Sequence, residues 1–121
     1  MVEKRKELEN ILKGLGELGD VIGSSIVRRD GLLIASNLPS EVNAKAVAAM
    51  AAAIVGTSET STKELDIGEF NQVIVNGSNG QYVSVGAGGE AILICLIKKT
   101  ANLGLVLLEM ERSAKKLGRI I

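Results

Sequence analysis

A chain of 121 residues fits one domain, and a domain of that size can bury roughly two thirds of the surface it would expose unfolded. Aromatic content is only 2%, there is no histidine, Cys95 is the single cysteine and the formal net charge is zero. Those facts exclude an aromatic core, a histidine base, an internal disulfide and a Cys/His zinc cluster, and they argue against a dedicated nucleic-acid binder.

The opening "MVEKRKELEN" is charged from residue 3, and neither a secretory apolar region nor a run of about 20 strongly apolar residues follows it. That points to the cytosol. Leu8, Ile11, Leu12, Leu15 and Leu18 recur at helical spacing, which predicts an amphipathic helix ending near Gly19. "VIGSSIVRRDGLLIASNLP" then reads as two strands joined at Asp30-Gly31, a pair suited to a tight hairpin. Pro39 ends the second strand, and Ser40 is the expected N-cap of the next helix.

That helix, placed at 40–62, has no polar side chain between Ala46 and Gly56. Asn43, Val47, Met50 and Ile54 share one side, which includes its largest apolar groups and is expected to lie on the sheet. Ala44, Ala48, Ala51, Ala52 and Val55 form a second flank, and Val42, Ala46, Ala49 and Ala53 a third. Alanine propensity alone can account for such a run. The other reading is that small side chains admit a second helix closely, most economically the same helix of another copy across a twofold axis.

The remainder reads as a meander: "EFNQVIV", the turn "NGSNG", "QYVSV", the turn "GAGG" and "AILICLIKK". The last of these strands is apolar on both faces and is expected at the centre of a covered sheet. Leu103, Val106, Leu107, Met110, Ala114 and Leu117 then mark a closing helix, with Asn102 as its cap. The order helix-strand-strand-helix-strand-strand-strand-helix implies an α+β chain folded as a three-layer α/β/α sandwich. Charge is uneven: six basic residues against two acidic ones follow from Lys98, whereas Glu59–Glu90 holds five acidic residues and Lys63.

In this order the hairpin "RRDGLLIAS", the helix "AKAVAAMAAAI", the meander "NQVIVNGSNGQYVSVGAGGEAILICLI" and "ANLGLVLLEMERSAKKL" resemble the Roadblock family over nearly the whole chain. The resemblance implies a five-stranded antiparallel sheet with the central helix on one face and the terminal helices on the other. It also implies a homodimer formed by pairing the central helices and the strands near Phe70–Val75. The matching interface positions are Ala44, Ala48, Ala51, Ala52, Val55, Phe70 and Gln72. Family members bind small Ras-like GTPases, scaffold complexes or serve motors, so the implied role is regulatory rather than catalytic. Val42, Lys45, Ala49 and Ala53 form the implied partner platform. Some bacterial relatives that stimulate GTP hydrolysis carry a C-terminal extension, whereas this sequence stops at Ile121, so the resemblance implies binding and leaves stimulation open.

No catalytic constellation accompanies these patterns, and no cofactor or metal is expected. Cys95 sits in an apolar strand where a thiol is inert. Glu109 and Glu111 lie two apart on a helix and do not face each other, Glu64 and Asp66 read as a solvated edge, and Asn76–Ser78 as a turn. Arg28 and Arg29 point to opposite faces of a strand, so at most one can address a phosphate. The glycines Gly86, Gly88 and Gly89 precede a strand, not a helix, and so read as a hairpin rather than a phosphate cradle. Three functions follow: an adaptor for a small GTPase, a scaffold or motor-associated subunit without one, and a nucleotide binder working through "GAGG".

Overall fold

The computed structural model describes residues 2–121. Its elements are α1 (Val2–Gly16), β1 (Val21–Arg28), β2 (Leu33–Asn37), α2 (Ala44–Glu64), β3 (Gln72–Asn76), β4 (Gly80–Ala87), β5 (Ala91–Lys98) and α3 (Leu103–Ile120). The five strands form one antiparallel sheet in the order β2-β1-β5-β4-β3. β5 is central, as its apolar faces require, and β2 and β3 are the two edges. No helix among the described residues is long and apolar enough to cross a membrane.

Alternation along β5 splits the core into two. Leu93, Cys95 and Ile97 join Leu8, Leu12 and Leu15 of α1 and Val106, Met110 and Leu117 of α3 in the larger cluster. Ile92 and Ile94 point the other way, where Val27 of β1 and Ala48, Ala51 and Val55 of α2 meet them. Each buried leucine or isoleucine contributes about 1.5–3 kcal/mol relative to exposure, so both layers hold helix to sheet. The helix periodicities of α1 and α3 account for their placement, and Asn102 caps α3 by accepting the Leu105 amide at Oδ1, 3.2 Å away.

Three local expectations are corrected. The β1–β2 connection is longer than a two-residue turn: Arg28 N–H donates to Leu32 O, and only Gly31, at φ 97°, takes a positive φ there. Asp30 instead accepts the Leu32 amide and pairs with Arg28, which together hold its carboxyl below the ordinary range. The cap of α2 is Asn43 rather than Ser40; its Oδ1 accepts the Ala46 amide at 3.1 Å. Finally, α2 is rotated from its expected orientation. Ala48, Ala51 and Val55 face the sheet, while Met50 is 54% exposed.

Volume explains that rotation. Beneath α2 the sheet offers bulky Val27, Ile92, Ile94 and Tyr82, and close packing then requires small side chains on the helix. Val47 keeps a contact with that cluster at the edge of the helix, as expected, whereas Met50 and Ile54 are displaced to the flank.

Candidate protein-interaction site

The outward surface of α2 exposes Lys45, Ala46, Ala49, Met50 and Ala53, with Val47 and Ile54 half-buried beside them. From Ala46 to Gly56 this surface has no polar side chain, so water meets aliphatic groups along about three turns. Alternation carries the same apolar character onto the sheet. Val73 and Tyr82 pack under α2, and the adjoining row Val75–Tyr82–Leu96 lies in register across β3, β4 and β5. Along that row Val75 is 39% exposed, and Tyr82 and Leu96 are only half-buried. The partial burial of Tyr82 pushes its phenol above the ordinary value.

β3 itself pairs with β4 on one side, and among the described residues nothing pairs with its other edge. An edge of free N–H and C=O groups flanked by apolar side chains is a template for another strand. Of the nine large apolar side chains exposed among the described residues, four lie on α2, its exit loop and the α2 face of β3, namely Met50, Leu65, Ile67 and Val75, and Ile74 lies on the opposite face of the same edge strand. The uncovered apolar surface is thus concentrated on α2, its exit loop and β3. Sequence reasoning missed Met50 and Ile54 as flank groups, and Leu65 and Ile67 altogether. The bulk of Ile92 and Ile94 opposite the helix was the signal that could have placed the first two.

The expected interface residues divide. Ala48, Ala51 and Val55 are consumed inside the protomer, at 0%, 0% and 1% exposure, so they cannot line a contact between copies. Ala44 and Ala52 are half-buried at the helix margins, Phe70 packs against the core beneath α2, and Gln72 is exposed on the β3 edge. Of the expected platform residues, Lys45, Ala49 and Ala53 are exposed on α2, and Val42 is half-buried just before it.

At the opposite end of the strands, a cleft of about 680 Å³ lies between β4, α2 and α3 and is lined by Arg29, Glu59, Glu111, Lys115 and Arg119. Its charges nearly balance, and Arg29 is already engaged with Glu59 and the Gly88 carbonyl. The "GAGG" segment is a strand end and turn: Gly86 lies within β4, Gly88 takes φ 73°, and the chain continues directly into β5. No helix N-terminus follows it. Cys95 is fully buried, and burial pushes its thiol up to about 12. Among the described residues no three His, Cys, Asp or Glu side chains are grouped to hold a metal.

The fold is that of a profilin-like α+β domain. Profilin IB of Acanthamoeba castellanii matches at TM-score 0.63 and 15% identity, over 92% of this chain and 93% of its own. A closer likeness is an MglB solved in a tetrameric arrangement, at TM-score 0.87 and 23% identity over 97% of this chain and 89% of that one. Myxococcus xanthus MglB gives the same TM-score, 0.87, at 19% identity over 94% of each chain. At such identities the likeness shows the fold. The family model of the Roadblock/LC7 domain matches residues 7–98, and the chain belongs to that family. Two uncharacterized proteins of Methanocaldococcus jannaschii are each 38% identical over 110 residues, covering 91% of this chain and 96% of theirs.

Proposed function

We propose that the protein is a non-enzymatic homodimeric adaptor that binds a small Ras-like GTPase. The observation that carries this reading is the apolar surface shared by α2 and the unpaired edge of β3. A second copy, related by a twofold axis, covers it in one step: β3 pairs with β3 to extend the sheet, and the Val47–Met50–Ile54 flank meets its own counterpart. Both exposed liabilities, the strand edge and the aliphatic flank, are then removed together.

With that flank against the second copy, the neighbouring surface of Lys45, Ala49 and Ala53 stays open and is doubled by symmetry. It offers a flat, small-residue platform to which a GTPase can dock. The Roadblock family is generally non-catalytic, and its association with Ras-like GTPases gives this partner class its support. Light scattering on the purified chain tests self-association, with a monomer at high micromolar concentration overturning it. Pull-down from the native cell extract tests the partner. Recovery of other chains without a GTPase would instead favour the scaffold reading.

A further inference from the structure

The two ends of the β3 edge carry opposite charge. Before the strand, the end of α2 and the loop after it expose Glu64, Asp66 and Glu69 against the one cation Lys63, a net negative charge. None of the three makes an ion pair among the described residues. After the strand, Lys99 brings its ammonium to 3.1 Å from both Asn76 Oδ1 and Gly77 O, with Lys98 exposed beside it. Asn76 and Gly77 are neutral acceptors, so this cation is held at the strand end and makes no ion pair among the described residues.

We propose that these ends form two ion-pair clasps that select the antiparallel pairing of β3 with β3 in a second copy, and so favour self-association over pairing with a chain of different end charges. The inference rests on the homodimer proposed above and deepens it. In antiparallel pairing centred on Ile74, Gln72 of one copy lies opposite Asn76 of the other. The acidic loop of each chain then runs past the other's Asn76–Gly77 turn, where Lys99 is held. Paired strands are about 4.8 Å apart, well inside the Debye length of about 10 Å at 0.1 M salt. A parallel arrangement would set acid on acid and base on base. Charges placed this way discriminate between partners more than they add raw affinity.

The test uses two full-length variants, Lys98→Glu/Lys99→Glu and Glu64→Lys/Glu69→Lys, which make both strand ends acidic in one chain and basic in the other. All four residues are exposed, and circular dichroism verifies that each variant keeps the fold. By sedimentation equilibrium at low salt, each variant alone should dimerise about tenfold more weakly than the wild type. Native mass spectrometry of their mixture should show heterodimers in excess of the statistical proportion. Wild-type dissociation should also increase between about 0.01 and 1 M salt, as the Debye length shrinks from about 30 to about 3 Å. A wild-type dimer whose affinity ignores both salt and the charge reversals would overturn the clasps and leave the dimer standing. A wild-type monomer would overturn the dimer and the clasps with it.

Discussion

The guanidinium of Arg29 donates from Nη1 to Glu59 Oε2 at 2.6 Å and from Nη2 to the Gly88 carbonyl at 3.1 Å, fastening the β1–β2 turn to α2 and to the β4–β5 turn. The pair is mostly shielded, its side chains 28% and 37% exposed. Loss of either partner in Arg29→Ala or Glu59→Ala should cost about 1 kcal/mol. In urea unfolding, the double substitution should cost less than the sum of the two single ones, by about 0.5–1 kcal/mol. Strict additivity would mean that solvent already screens the contact.

Gly86 is part of the same arrangement. A Cβ built there would lie 2.8 Å from Arg29 Nη2, so the guanidinium would have to move. Gly86→Ala should therefore destabilise the wild type by up to about 1 kcal/mol, the worth of the disturbed contacts. In an Arg29→Ala background the obstacle is gone. There the same substitution should become neutral or slightly stabilising, because alanine restricts the unfolded chain more than glycine does.

The turn between β4 and β5 depends on glycine for two reasons at once. Gly88 has φ 73°, and its Cβ would meet the Gly118 Cα of α3 at 3.1 Å, a backbone contact that cannot swing aside. Gly88→Ala combines a left-handed penalty of about 1–2 kcal/mol with a displacement of α3. Melting should fall by several degrees, whereas Gly89→Ala, with no atom within 4 Å and no positive φ, should change little.

Cys95 ties burial to alkaline stability. Its thiol is pushed from an ordinary 9.0 to about 12 by desolvation. The folded chain thus holds the proton over a window in which the unfolded chain releases it. Stability from this site is fully present below about pH 9 and declines as pH rises toward 12. The slope in that window should approach about 1.4 kcal/mol per pH unit, and Cys95→Ala should remove this part of it. Native protein at neutral pH should also resist thiol reagents that label it at once in denaturant.

Much of the fold was legible because its signals are periodic. Leu8, Leu12 and Leu15, and Val106, Met110, Ala114 and Leu117, each mark one face, and all of them are buried. Ile92–Ile97, apolar on both faces, required the central position that β5 occupies. The orientation of α2 was not legible. Alanine around its whole circumference gives no preferred direction, and the deciding bulk lies on the sheet beneath it, at Ile92, Ile94 and Tyr82. For the same reason the candidate site was legible as a helix but not as a set of residues. The loop residues Leu65 and Ile67 carry no period at all.

The orientation of α2 separates the outcomes of three substitutions at consecutive positions on the same helix. Ala48 is 0% exposed against its own sheet, so Ala48→Arg forces an unpaired guanidinium into the core and should unfold the chain, at a cost of about 3 kcal/mol or more. Met50 is 54% exposed, and Met50→Lys should leave the melting curve of the monomer intact while shifting light scattering from dimer to monomer. Ala49→Glu, on the adjacent exposed surface, should preserve the fold and the proposed dimer and reduce capture of the proposed GTPase partner by about tenfold or more, as expected for a charge buried without a partner at a binding surface. The three readouts, circular dichroism, light scattering and pull-down, report core, self-association and partner binding in turn. A folded Ala48→Arg chain would refute the helix orientation, a dimeric Met50→Lys chain the flank, and unchanged capture by Ala49→Glu the platform.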